Sequence, residues 1–256
     1  MNTMNKGTKN IIGIIPARFD STRLPGKPLI EIKGKTMIQR VYEQAMKSKY
    51  ISKVIVATDD KRIYNEVKNF GGISAMTSKK HKSGTDRIAE AAKKEKCSIV
   101  VNIQGDEPFI DPANIDKAIK PLLNDKNLNV STLSVRITDF DELYDTNNVK
   151  VVLDKFNYAL YFSRLAIPFE DDIRKNLKKI PIKKNFYKHI GLYVYRKNFL
   201  LKLSKMKASY LEQSEKLEQL RVLENGEKIK VVLTKKDSFS IDTKEDLMKI
   251  KSVEKS

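Results

Sequence analysis

The chain has 256 residues, is 40% hydrophobic and 32% charged, and carries 50 Lys and Arg against 32 Asp and Glu, a net charge of +18. That length suits one large α/β domain or a domain with a sizeable insertion, with enough apolar residues for a buried core. A single cysteine, Cys97, excludes an internal disulfide framework or a Cys-based zinc site, and no apolar run approaches the ~20 residues that span a bilayer.

Residues 1–10 are polar, lack the apolar core of a signal peptide and read as a disordered tail ahead of one domain over 11–256. Through the first half, short apolar runs alternate with amphipathic stretches. Strands are expected at 11–15, 53–57, 73–77 and 98–103, and helices at 36–48, 60–70, 84–96 and 112–124. That alternation predicts right-handed βαβ units around a mostly parallel sheet. Further strands are expected at 130–136, 149–154, 159–164 and 192–196. The lysine-rich stretch 168–187 lacks periodicity and reads as an exposed insertion. An amphipathic helix follows near 211–224, then strands at 228–234 and 238–241 and a last helix from Thr243. Asp242 or Thr243 can cap that helix. Cys97 reads as a small core residue, and so few cysteines fit a reducing cytoplasm.

The charge excess is mostly lysine spread along the chain beside abundant Ile and Asn, the composition that AT-rich coding produces. No arginine-rich block, stacking motif or zinc finger accompanies it. Nucleic acid and membrane are therefore not expected partners, although a basic surface can steer anionic substrates.

Chemistry concentrates at three strand ends. The apolar strand Ile11–Ile15 runs into Pro16-Ala17-Arg18-Phe19-Asp20-Ser21-Thr22-Arg23-Leu24-Pro25-Gly26-Lys27-Pro28-Leu29. Arg18, Arg23 and Lys27 at the carboxyl end of a buried strand suit a polyanion such as a nucleoside triphosphate. Pro28 follows Gly26-Lys27, so this is not a Walker A loop, and no dinucleotide fingerprint is present. Ile99-Val100-Val101-Asn102-Ile103-Gln104-Gly105-Asp106-Glu107-Pro108 sets Asp106 at a second strand end, where a carboxylate can bind Mg²⁺ beside phosphate oxygens. It reads equally as a turn aspartate. Ser238-Phe239-Ser240-Ile241-Asp242-Thr243 repeats the pattern with Asp242, a metal ligand or a plain cap. Ser83-Gly84-Thr85-Asp86-Arg87 opens a helix, where Ser83 or Thr85 caps and the N–H groups can hold phosphate; an Asp-Arg surface pair is the plainer reading. By ordinary expectation His81 and His189 are structural, and Glu218-Gln219 lies on a solvated helix face.

Taken together, R-x-x-S-x-R-L-P-G-K-P-L, N-x-Q-G-D-E-P, K-H-I-G-L-Y and L-E-Q-L-R, in that order over nearly the whole chain, resemble the 3-deoxy-manno-octulosonate cytidylyltransferases (CMP-Kdo synthetases). The resemblance implies a Rossmann-like nucleotidyltransferase fold, with a mostly parallel sheet flanked by helices and a dimerisation and sugar-binding insertion at about 130–200. It implies a cytoplasmic homodimer that joins CTP to Kdo, giving CMP-Kdo and pyrophosphate for lipopolysaccharide synthesis. Ala17, Arg18, Arg23, Lys27, Ser83, Gly84, Arg87 and Gln104 match nucleotide-side positions. Gln104, Arg164, His189, Tyr193, Glu218 and Gln219 match sugar-side positions, and Asp106 and Asp242 match the magnesium aspartates. Arg164 suits the sugar carboxylate, and Arg18, Lys27, Asp106 and Asp242 would carry catalysis. Phe19, Thr36, Ser240 and Thr146-Asn147-Asn148 depart from the family pattern. Ser240, where glycine is usual, adds a side chain that can tighten the sugar pocket, so the alternative is another acid sugar, such as 8-amino-Kdo or a nonulosonic acid. A catalytically dead polyanion-binding protein is the alternative from another class.

Overall fold

The computed structural model describes residues 10–20, 24–81, 83–171 and 185–253. In chain order the elements are β1 Ile11–Ala17, β2 Glu31–Ile32, β3 Lys35–Thr36, α1 Met37–Met46, β4 Lys53–Thr58, α2 Lys61–Asn69, β5 Ser74–Met76, α3 Gly84–Lys93, β6 Ile99–Asn102 and α4 Pro112–Asn124. There follow β7 Val130–Arg136, α5 Phe140–Tyr144, β8 Lys150–Leu153, β9 Ala159–Ser163, β10 Tyr187–Arg196, α6 Lys197–Leu203, α7 Tyr210–Glu215, α8 Leu220–Glu224, β11 Ile229–Thr234 and α9 Lys244–Val253.

The chain divides into two compact units. The first holds Met1–Asp116, Tyr195–Ser204 and Ser238–Ser256, and the second Lys117–Val194 and Lys205–Asp237. The second unit is thus wider than the insertion expected at 130–200, because it also takes in 205–237. In the first unit the strands run β6-β1-β4-β5. All are parallel, with Ile14 opposite both Ile55 and Asn102, and Val56 opposite Ser74. Ile11, Ile12, Ile14 and Ile15 are all buried, as are Val54 to Ala57 and Ile99 to Val101, so these strands are near-continuous apolar runs. That is the signature of a sheet covered on both faces. In the second unit β11 lies parallel to β7, and β8 runs antiparallel to both β10 and β9.

Two expected elements differ. The helix near 211–224 is broken into α7 and α8, because Lys216 adopts a left-handed φ of 58° after α7. No strand forms at 238–241. That segment is anchored by buried Ile241, which packs with Leu24, Ile32 and Met37, and by its N–H bond to the Asp106 carbonyl at 2.9 Å. Strand β10 begins at Tyr187, earlier than the expected 192. Most of the expected loop at 168–187 lies outside the described residues, as do the tail 1–9 and Arg23. Cys97 is half-buried rather than in the core, and burial pushes its thiol up. Among the described residues, no helix is long and apolar enough to cross a membrane.

Candidate active site

In the first unit, three distant segments meet at the carboxyl ends of the parallel strands. Gly26 takes a left-handed φ of 68° and starts the 3-10 turn Lys27–Leu29. The Phe19 ring lies against Gly26, where an added Cβ would stand 3.2 Å from its edge. The Arg62 guanidinium stacks on that same ring, 3.2 Å from its centroid. Lys27 is 9% exposed, and its Nζ lies 2.6 Å from Asp106 Oδ2 and 2.9 Å from Asp242 Oδ1. One ammonium therefore stands between two carboxylates.

Each carboxylate is delivered by a local device. Gly105 lets the turn after β6 approach β1, since a Cβ there would lie 3.1 Å from the Pro16 carbonyl oxygen. Beyond Asp106, the Ser238 hydroxyl donates to Glu107 Oε2 at 2.5 Å. Asp242 does not cap α9. Thr243 does so, accepting the Asp246 N–H at 3.2 Å, while Asp246 Oδ2 takes the N–H groups of Asp242 and Thr243 at 3.0 and 2.9 Å. This reciprocal cap satisfies the helix start and leaves the Asp242 carboxylate to the site.

Arg18 donates from Nη2 to the His81 carbonyl at 2.8 Å. The His81 ring pairs with Glu90, which also accepts the Ser78 N–H at 2.9 Å and is held below the usual carboxylate range by these bonds. Ser83 is the cap of α3, accepting the Asp86 N–H at 3.1 Å. Gly84 opens that helix against Pro16. Ala17 is buried at the end of β1, so only its backbone is available to a ligand. Gln104 is half-buried in the turn after β6.

Arg87 is not the surface residue of an Asp-Arg pair. It is fully buried, donating to Thr77 Oγ1 at 2.5 Å and Asp59 Oδ2 at 2.7 Å. It therefore ties α3 to the ends of β4 and β5. Thr36, where the family favours proline, caps α1 through Gln39 N–H at 3.4 Å and donates to Glu66 at 3.0 Å. Ser240 is exposed.

The second unit gathers the sugar-side residues expected from the sequence. His189 sits between Phe162 and Tyr193, with ring centroids 5.2 Å away in both cases. It keeps a small exposed edge, yet burial pushes its imidazole down to about 3, so it is neutral near pH 7. Its Nε2 lies 3.0 Å from Thr132 Oγ1, which is also 2.7 Å from the Leu192 carbonyl. A hydroxyl has one hydrogen. The Leu192 carbonyl takes it, so Thr132 accepts from Nε2–H, and His189 presents Nδ1 as an acceptor. Arg164 directly follows β9, donating from Nε to the Glu215 carbonyl and from Nη1 to the Thr146 carbonyl, both at 3.0 Å. Glu218 and Gln219 lie in the turn between α7 and α8, not on a continuous helix. Glu218 is 3.8 Å from the Arg221 guanidinium, which Glu212 grips at 2.7 and 2.5 Å. Asn148, in the departing Thr-Asn-Asn stretch, gives its carbonyl to Lys150 at 2.5 Å.

Sequence reasoning did not single out Lys150, Glu215 or Thr132. Their signal is burial of polar groups, which one sequence does not display. Among the described residues no group of three or more His, Cys, Asp or Glu gathers to hold a metal. The donor set at hand is the convergent pair Asp106 and Asp242. It fits Mg²⁺, which takes one or two carboxylates and completes its shell with phosphate oxygens and water.

A cytidylyltransferase family model matches residues 12–229. The 3-deoxy-manno-octulosonate cytidylyltransferase of Solibacter usitatus (strain Ellin6076) is 50% identical over 242 residues, covering 94% of this chain and 93% of that protein. The protein of the same name from Geotalea uraniireducens (strain Rf4) is 52% identical over 243 residues, covering 94% and 97%. Among solved structures, a CMP:2-keto-3-deoxy-manno-octonic acid synthetase complexed with CTP matches with a TM-score of 0.88 and 38% identity, covering 96% of this chain and 98% of that one. The 4-diphosphocytidyl-2C-methyl-D-erythritol synthase of Anaerococcus prevotii, 16% identical with a TM-score of 0.62, shares the fold alone.

Proposed function

This chain belongs to the 3-deoxy-manno-octulosonate cytidylyltransferases, and from that premise we propose that it transfers CMP from CTP to the anomeric hydroxyl of Kdo, releasing pyrophosphate. The product is an activated sugar for lipopolysaccharide synthesis. The observation that carries the reading is the Lys27 ammonium between Asp106 and Asp242 at the strand ends, in a chain 38% identical to a synthetase solved with CTP.

Nucleotidyl transfer asks for positioning and charge neutralisation more than covalent help. On this reading the first unit supplies the nucleotide side. Lys27 and Arg18 contact the triphosphate, and the N–H groups at Ser83-Gly84 add neutral donors at the start of α3. Asp106 and Asp242 hold Mg²⁺, which when bound neutralises phosphate charge and favours ionisation of the attacking hydroxyl. The second unit supplies the sugar side. Arg164 offers its remaining N–H groups to the sugar carboxylate, a two-pronged match. Neutral His189 accepts a hydrogen bond from a sugar hydroxyl at Nδ1, and Glu218 and Gln219 bond further hydroxyls. His189 is an orienting group, not a proton carrier, since it stays neutral over the working range.

We read the protein as a cytoplasmic homodimer that pairs through its second unit. Leu160, Leu165 and Phe169 are 60%, 67% and 73% exposed there, apolar side chains that such a pairing would cover.

The test is magnesium-dependent pyrophosphate release from CTP with Kdo and 8-amino-Kdo side by side. Release with Kdo supports reaction and sugar together. Release only with another acid sugar keeps the chemistry and moves the specificity, and no release with any of them overturns the reading.

A further inference from the structure

Arg164 is held at every point from which its side chain is aimed. Its backbone N–H donates to Glu215 Oε2 at 3.0 Å, and its backbone carbonyl accepts from Lys150 Nζ at 2.5 Å. The two peptide groups flanking its Cα are thus fixed by opposite charges. The side chain is fixed by its own bonds, to the Glu215 carbonyl and the Thr146 carbonyl. Glu215 does more than meet Arg164. Its Oε1 accepts the Ser163 hydroxyl at 2.7 Å and the Tyr161 hydroxyl at 3.4 Å, so one carboxylate fastens Tyr161, Ser163 and Arg164 at and just beyond the end of β9.

Glu215 is also the last residue of α7, and Lys216 then turns the chain through its left-handed conformation toward Glu218 and Gln219. The same carboxylate therefore fastens the strand end bearing Arg164 to the turn bearing the other sugar-side groups. Lys150 answers from the other side. It is fully buried, and its three ammonium hydrogens meet three carbonyls, those of Asp145, Asn148 and Arg164, at 2.9, 2.5 and 2.5 Å. A buried ammonium with all its donors matched is an anchor, since any change in the surrounding chain would strand a charge away from water. It binds the 145–148 turn, which supplies the carbonyl under Nη1, to the residue whose guanidinium that carbonyl steadies.

We infer that Glu215 and Lys150 are positioning residues that hold Arg164, and through it the sugar carboxylate, in one geometry. This rests on the acid-sugar reading above. Neither residue touches substrate; both act through Arg164.

The test is a double-mutant cycle in the full-length protein, with KM for the sugar, KM for CTP and thermal midpoint measured for each variant. Glu215→Ala is expected to raise the sugar KM by about tenfold to a hundredfold, the range for losing a hydrogen bond to a charged group, with the KM for CTP within about twofold. Glu215→Gln keeps an acceptor oxygen and is expected to recover much of that loss. The decisive variant is Arg164→Ala with Glu215→Ala: if Glu215 acts through Arg164, the double variant has the sugar KM of Arg164→Ala alone. Additive losses in the cycle, or equal rises in both KM values, would overturn the inference, as would an unchanged sugar KM with a lowered midpoint. Lys150→Met, or Lys150→Arg where the methionine variant does not fold, is expected to raise the sugar KM in the same direction, and an unchanged sugar KM in a folded variant overturns the role of Lys150, while the cycle decides that of Glu215. Any acid sugar the wild type uses serves as substrate, so a wrong choice of sugar and a wrong role for Glu215 give different results. A wild type that releases no pyrophosphate overturns both.

Discussion

Arg87→Met separates a buried tie from a nucleotide contact. The wild-type guanidinium is fully buried and makes two bonds, to Thr77 Oγ1 at 2.5 Å and Asp59 Oδ2 at 2.7 Å. Each hydrogen bond involving a charged group contributes about 1.5–3 kcal/mol. Two effects work the other way. Arg87 Nε has no hydrogen-bond partner, and removing a buried unmatched donor returns about 1–3 kcal/mol. Asp59 keeps 19% side-chain exposure, so the carboxylate left behind regains some water. Methionine also fills most of the vacated space without a cavity. The expected net loss is about 3 kcal/mol of unfolding free energy, or roughly 6–12 °C in the thermal midpoint of a chain this size. Urea unfolding followed by circular dichroism measures the loss, and CTP titration measures binding in the folded fraction. A loss under about 1 kcal/mol, together with a large rise in the KM for CTP, would refute the assignment and return Arg87 to the nucleotide.

Asp106→Asn is expected to abolish turnover in magnesium while leaving the circular dichroism spectrum and thermal midpoint close to wild type; activity near wild type would remove Asp106 from the metal pair. Gly105→Ala puts a Cβ 3.1 Å from the Pro16 carbonyl oxygen, so it is expected to cost about 1–3 kcal/mol and to lower kcat by displacing the adjacent Asp106. Urea unfolding and steady-state rates check both parts. His189 has a folded pKa of about 3, below the ordinary value near 6.5, so the unfolded chain binds the extra proton between these limits. Its contribution to stability is complete above about pH 6.5 and is lost as pH falls toward 3, at up to about 1.4 kcal/mol per pH unit. Proton NMR of the chain's two histidines, with His189→Gln for assignment, checks this. An imidazole at 189 titrating above pH 5 would contradict it.

The parallel frame of the first unit was legible because both its faces are covered and its strands are continuous apolar runs. Residues 112–124 and 130–136 form the expected helix and strand with the expected limits. Periodicity misled where it ignored backbone geometry. The pattern over 211–224 is amphipathic throughout, yet the turn at Lys216 interrupts it, and nothing in a lysine announces a positive φ. The alternation in Ser238-Phe239-Ser240-Ile241 imitates a strand, but Phe239 is 44% exposed and Ile241 alone is buried. The convergence of Lys27, Asp106 and Asp242 was expected from the family resemblance rather than from the residues alone, which left Asp106 equally a turn aspartate and Asp242 a plain cap. Arg87 was misread because charge at a helix start normally faces water, and its partner Asp59 stands 28 residues away. Lys150 escaped notice because its partners are backbone carbonyls, which the sequence does not distinguish, and Glu215 because its partners Tyr161, Ser163 and Arg164 lie more than 50 residues away.

The ammonium that joins the two carboxylates also orders events during synthesis. Lys27 and Asp242 are 215 residues apart in sequence, and the segment bringing Asp242 docks through Ile241 onto a cluster built from Leu24, Ile32 and Met37. At ribosomal rates of 5–20 residues per second, about 10–40 s separate the emergence of these two residues. Asp106 follows Lys27 by 79 residues, so from its emergence until that of Asp242 the nascent chain can build the parallel strands and the basic turn while holding only one of the two carboxylates. The Lys27–Asp242 pair is therefore among the last contacts completed, and a chain released before residue 242 would keep the parallel strands and the basic turn without the second carboxylate.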